Sequence, residues 1–259
     1  VTERGRDVSV VVEDGVGLLE MQRPPANHFD EQLIGEIVDA AFELDADPRC
    51  RALVLASQGK HFCAGADFGD GGAFAGDRVA VADRLYRRAV QLFEVKTPII
   101  AAVQGSAVGG GLGLACAADF RVADAATRFV ANFARLGFHQ GFALSVTLPD
   151  IVGRQVAADM LLTGRRVTGE EAHRIGLADR LTEPGGQREA ALAWARSIAA
   201  AAPLAVRSIR ATLRADLAER VRAALDHELA EQKWLWATRD AQEGITASLE
   251  RRNPVFSGE

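Results

Sequence analysis

Apolar positions recur with two different periods along the chain, and the alternation between them predicts an α/β protein. Val8–Val12 and Val16–Met21 are apolar runs around Glu13-Asp14-Gly15, the signature of a β-hairpin with an acidic glycine turn. From Glu31 to Leu44 the apolar residues Leu33, Ile34, Ile37, Val38, Ala41 and Phe42 follow a helical period, which Pro48 stops. Arg51–Ala56 and Pro98–Val103 are short apolar runs of the kind a buried strand needs. A helix is predicted from about Asp77 to Phe93, and strands over Phe120–Ala123, Thr127–Val130 and Leu177–Leu181. Leu144–Val152 and Gln155–Leu162 read as helices parted by Gly153, and Thr168-Gly-Glu-Glu171 is a capping box for a short helix that Gly176 ends. Beyond Pro184 the chain is alanine-rich and helical, punctuated at Pro203, and its Trp234 and Trp236 need cover from the core or from another subunit.

Two glycine-containing turns interrupt this pattern after strands. One is Lys60-His-Phe-Cys-Ala-Gly-Ala-Asp67; the other lies within Ala101–Asp119, where Gly109, Gly110 and Gly111 stand before a helix whose inward face is Leu112, Leu114 and Ala115. Glycines there let the backbone approach a ligand, and free N–H groups at a helix start favour negative charge, so an oxyanion site is one reading. Tight packing of helix on strand is the other. The spacing fits neither the dinucleotide motif nor a phosphate-binding P-loop. Ser106 directly follows Gly105, whereas a nucleophile elbow needs glycine two residues earlier.

At 259 residues the chain has room for one large α/β domain. A content of 48% hydrophobic and 25% charged residues fits neither a disordered chain nor a membrane protein, and no apolar run is long enough to span a bilayer. The charged start, Val1–Asp7, carries no secretory pattern, which makes a cytoplasmic location the expectation. Cys50, Cys63 and Cys116 are odd in number and far apart, so neither a disulfide framework nor a metal site is expected. The net charge of −5 argues against a nucleic-acid surface.

Phe62-Cys-Ala-Gly-Ala-Asp67 followed by Ala101-Ala-Val-Gln-Gly-Ser-Ala-Val-Gly-Gly-Gly111 resembles the crotonase, or enoyl-CoA hydratase/isomerase, superfamily. The likeness extends over Leu161–Gly164, Ala172–Gly176 and the terminal Pro254-Val-Phe256. The resemblance implies a crotonase-like spiral of ββα units over residues 1–200 and a helical C-terminal trimerisation region over 201–259. It also implies homotrimers or homohexamers and acyl-CoA as the ligand. Coenzyme A would be part of the substrate, with no tightly bound cofactor and no nucleic-acid or membrane partner.

By the same resemblance the backbone amides of Ala66 and Gly110 would hold the thioester oxygen. Ala26, His28, Ala64 and Asp67 would lie along the CoA moiety, and Lys60 and Phe256 near its adenine end. Asp67 reads equally as a helix cap. The family's two catalytic glutamates match Gly113 and Phe133, neither of which titrates, and the later aspartate of the related 4-chlorobenzoyl-CoA dehalogenase matches a position near Gly141. The loop Asn132–Gly141 does contain His139, a replacement acid/base or a structural histidine, and Arg135, a holder of a substrate carboxylate or a salt-bridge partner. Three functional readings follow. The chain is an acyl-CoA enzyme of altered chemistry, with hydration, isomerisation, thioester hydrolysis or carbon–carbon cleavage served by His139 or by a bound water or anion; it is a catalytically silent acyl-CoA-binding protein; or it is a structural assembly protein.

Overall fold

The computed structural model describes residues 2–4, 7–69, 72, 74 and 76–259. The hairpin forms as β2 (Val8–Glu13) and β3 (Val16–Met21), and β1 (Thr2–Arg4) adds antiparallel to β2. Beyond β3 the main sheet becomes parallel through β4 (Ala52–Ser57), β5 (Ile99–Ala102), β7 (Phe120–Asp124) and β10 (Arg180–Thr182). A second sheet of three strands is built from β6 (Ser106–Val108), β8 (Arg128–Val130) and β9 (Arg166–Thr168).

Both faces of the main sheet are covered, which is why β4 and β5 read as unbroken apolar runs. Leu53, Leu55, Ile99 and Ala101 face the larger core, formed with helix α1 (Glu31–Ala46), α2 (Arg78–Ala89) and α3 (Gly110–Ala117). Ala52, Val54, Ile100 and Ala102 alternate to the other face and meet Ala191, Ala195 and Ala199. Those alanines are one stripe of α7 (Gln187–Ala199), and their small size lets this helix lie close on the sheet.

Local signals act where the sequence places them. Asp30 accepts a hydrogen bond from Leu33 N–H at the start of α1, and Asp77 does the same for Ala80 in α2. Thr168 caps α6 (Gly169–Arg174) by accepting from Glu171 N–H. The predicted helix to Phe93 instead tightens at Val90 into a 3-10 turn, and the last strand lies at Arg180–Thr182, not Leu177–Leu181. Leu177 and Ala178 are buried because they pack as a connection behind α6.

The remaining helices are α4 (Leu144–Val152), α5 (Arg154–Thr163), α8 (Pro203–Leu213), α9 (Leu217–Leu235) and α10 (Arg239–Leu249). Helix α9 packs on α2 and α4, and α10 packs on the 3-10 turn Asn132–Leu136. Arg210 and Arg214 tie α8 to Asp119, which also accepts from Ile99 N–H at the sheet end. This clamp holds α8 at the N-terminal ends of β5 and β7, opposite the end where the two glycine turns leave the sheet.

Candidate active site

The first turn follows β4. It is laced to the loop after β3 by Ala64 N–H donating to Ala26 O at 2.9 Å, and by His61 and Lys60 N–H donating to Pro25 O at 3.1 and 3.2 Å. The buried Asn27 amide donates to Gln58 O and His61 O, both at 2.7 Å, and fixes the crossing. Gly65 has φ +90°, and a Cβ there would stand 3.0 Å from Val108 O, so both backbone sign and space call for glycine.

The second turn joins β6 to α3 through Gly109 (φ +55°), whose N–H donates to Val130 O at 2.8 Å. Gly110 is the first residue of α3, so its N–H has no acceptor within the helix. A side chain at Gly110 would collide with the Phe29 ring, and one at Gly111 with Cys63 O. A parallel bridge from Cys63 to Ala107 binds the two turns together, and one from Phe29 to Ala66 ties the first turn to the segment before α1.

Ala66 and Gly110 line one cavity of about 340 Å³. Among the described residues, neither amide donates to a protein acceptor. Aromatic rings furnish one side of the wall: Phe68 stands against Phe74 at 5.3 Å between centroids, Trp236 against Phe138 at 5.5 Å, and Phe133 against Phe138 at 5.9 Å. Trp236 finds its cover here, while Trp234 stays 57% exposed.

Three positions singled out for carboxylates are filled by rings. A Cβ on Gly113 would lie 2.5 Å from the Cβ of Phe142; Phe133 is itself a buried ring; a Cβ on Gly141 would lie 2.8 Å from the Tyr86 ring. Tyr86 is the one buried ionisable side chain among the described residues lining the cavity. Burial raises its phenol above the ordinary value, and the nearby Glu228 acts in the same direction. Tyr86 shares a hydrogen bond with the Gln232 side chain, whose Nε2 donates to His139 O at 3.0 Å.

Ala26, His28, Lys60 and Ala64 are brought together by the lacing of the first turn, with Asp67 just beyond it. His28 Nδ1 pairs with Gly65 O at 3.2 Å. Asp67 caps no helix; it accepts from Gly69 N–H at 2.9 Å in a turn.

His139 does not join this group, which corrects the expectation that it serves the two amides as acid or base. It lines a second cavity, with Trp234 and Phe256, while its neighbour Phe138 borders both cavities. Gln232 holds the His139 carbonyl, its ring packs on His227 at 5.8 Å, and Nδ1 pairs with Gln140 O at 2.9 Å. Phe256 lines this second cavity too. Arg135 lines a third cavity adjoining the first.

The three cysteines are free and buried. Burial pushes the Cys63 thiol up to about 12, and Cys50 and Cys116 to about 11, so none is a ready nucleophile. No cluster of three or more metal-ligating side chains occurs among the described residues, and no helix there is long and apolar enough to cross a membrane.

The family model for enoyl-CoA hydratase/isomerase matches residues 12–259. The chain belongs to the enoyl-CoA hydratase/isomerase family. (E)-Benzylidenesuccinyl-CoA hydratase of Thauera aromatica is 32% identical over 259 residues, covering 97% of this chain and 99% of the relative. The crystal structure of an enoyl-CoA hydratase/isomerase from Pseudoalteromonas atlantica T6c superimposes with a TM-score of 0.86 at 29% identity, covering 97% of this chain and 100% of that one. An enoyl-CoA hydratase from Mycobacterium avium subsp. paratuberculosis K-10 gives a TM-score of 0.83 at 25% identity, with 97% and 99% covered. The two-sheet α/β architecture with C-terminal helices is therefore the crotonase fold.

Within this enoyl-CoA hydratase/isomerase family member, the residues sequence reasoning passed over are Tyr86, Gln232 and Glu228. Their signal was a polar residue on an apolar helical face: Tyr86 shares the buried face of α2 with Ala82, Leu85 and Ala89. Glu228 and Gln232 continue the buried row of Val221 and Leu225 in α9.

Proposed function

We propose that the protein is an acyl-CoA enzyme in which the Ala66 and Gly110 amides receive the thioester oxygen as it becomes an enolate or tetrahedral oxyanion. The observation that supports this is the pair of unengaged N–H groups, from two separate turns, on one cavity wall. Preset donors of this kind gain strength as negative charge develops, and losing one costs about 2.7–4 kcal/mol of transition-state stabilisation. The aromatic wall suits an apolar acyl group and keeps water from it. CoA lies along Ala26, His28, Ala64 and Asp67, toward Lys60.

Proton delivery falls to Tyr86. A phenol held protonated at neutral pH is a donor and not a base, so its part is to protonate an enolate or hold an oxygen. Paired-carboxylate hydration has no place here, because Gly113 and Phe133 supply neither acid nor base. Residues 201–259 supply Trp236 to this wall, and we assign to the same region the contacts of a homotrimer.

A panel of enoyl-, β-keto- and carboxyacyl-CoA thioesters tests the reading by chromatography of products. Turnover of at least one thioester is expected; no consumption of any, together with no binding, contradicts it. The ring-filled sites at Gly113 and Phe133 favour one second reading, an acyl-CoA-binding protein without turnover. Calorimetric binding of thioesters that are all recovered unchanged selects that reading.

A further inference from the structure

The cavity beside the amides adjoins the third cavity, of about 680 Å³, and the two share Val108, Asn132, Leu136, Ser248 and Arg251 as lining. Arginine is abundant in this chain, and nearly every described guanidinium meets a carboxylate, a backbone carbonyl or a ring. Arg135, Arg154, Arg166, Arg174 and Arg251 do not, and three of them, Arg135, Arg166 and Arg251, gather at one place. Each lines this groove, and among the described residues no hydrogen bond or ion pair holds its guanidinium. Arg252 also lines the groove but is spent on Glu243 and Glu250. No Asp or Glu is among the described lining residues.

The local structure supports these side chains at some cost. Arg251 takes φ +57° just past α10, a left-handed position where glycine is favoured. The stem of Arg135 lies over Gly164, where a Cβ would stand 2.8 Å from its Cγ, so the glycine leaves room for that stem. Three like charges with no counter-charge repel one another; solvent screens this, and a bound anion relieves it.

We infer that the acyl group taken by this site ends in a carboxylate, which Arg135, Arg166 and Arg251 receive in the groove. This rests on the acyl-CoA reading above: with the thioester oxygen on the amides, the far end of the acyl group enters the groove past Arg251. The aromatic wall receives the apolar middle of the chain. Planar guanidinium donors match a carboxylate with paired hydrogen bonds.

Isothermal titration calorimetry of the full chain with matched thioesters tests this: butyryl- against succinyl-CoA, valeryl- against glutaryl-CoA, and hexanoyl- against adipyl-CoA, with free CoA as a control. For at least one pair the carboxylate form is expected to bind on the order of tenfold tighter. In Arg135→Gln/Arg251→Gln, and separately in Arg166→Gln, that ratio is expected to fall toward one.

No preference in any pair, or a preference that survives all three substitutions, overturns the inference and leaves the acyl-CoA reading in place. Equal weakening of free CoA and of the carboxylate thioester assigns the groove to the phosphates of CoA and overturns it too. So does dissociation of subunits in the variants, seen by sedimentation, with the ratio unchanged. If no thioester binds, butyryl-CoA included, the acyl-CoA reading fails and the inference with it.

Discussion

Gly113 and Tyr86 are the residues at which the proposed chemistry of this enoyl-CoA hydratase/isomerase family member is most open to test. At Gly113 a side chain has no room, because Phe142 occupies the space it would need. Gly113→Glu is therefore expected to destabilise the fold by at least about 1–3 kcal/mol through overpacking, without creating hydratase activity. Urea denaturation and turnover of crotonyl-CoA check the two parts. At Tyr86, replacement by Phe keeps the ring that packs on Phe142 and removes only the hydroxyl. Turnover is expected to drop by about 10²-fold or more in kcat with KM little changed, within the range for a lost proton donor. An unaltered kcat rules Tyr86 out of proton transfer.

Two buried carboxylates lock the elements around the site, and they respond to pH in opposite senses. Glu228 of α9 accepts from Ala143 N–H at 2.8 Å and from Ser145 N–H at 2.9 Å, anchoring the start of α4 where Phe142 and Ala143 both have positive φ. Burial pushes its carboxyl up from 4.5 to about 7, despite the N–H donors. The folded protein thus holds a proton that the unfolded chain releases. Its contribution is fully present below the unfolded value and is lost as pH rises through about 7. The stability difference between wild type and Glu228→Gln is expected to fall across that window, read from urea midpoints. Asp119 is the reverse case. Burial would raise it, but Arg210 and Arg214 hold it below the ordinary carboxylate value, so its contribution is present above the unfolded value and is lost as pH falls through the folded one. A slope of the same sign for Glu228→Gln and Asp119→Asn contradicts this assignment.

At the scale of the whole molecule, the long periodic segments were legible in the chain because their period carries the packing. The hairpin β2–β3 and the buried β4 and β5 lie within about a residue of expectation, and helix α1 runs two residues past its expected end. Strands β6 and β9 were not legible: each has three residues, too few to show a period, and each exists through its pairing with β8. The two turns stood out through their small residues. The placing of His139 did not, since nothing local tells which side of Phe138 a neighbouring side chain takes.

Exposed Leu204, Ile209, Leu213 and Trp234 on α8 and α9 leave apolar surface for the proposed trimer. Sedimentation equilibrium is expected to give three times the chain mass, or six for paired trimers; a monomer at micromolar concentration contradicts that assembly.

The central claim, that amides of Ala66 and Gly110 grip one thioester oxygen, is tested most directly by infrared difference spectroscopy of butyryl-CoA carrying ¹³C at its carbonyl. Two donors on that oxygen polarise the bond, so the labelled band is expected to move to lower wavenumber when the thioester binds. A bound thioester whose carbonyl band stays at its position in water would contradict the account.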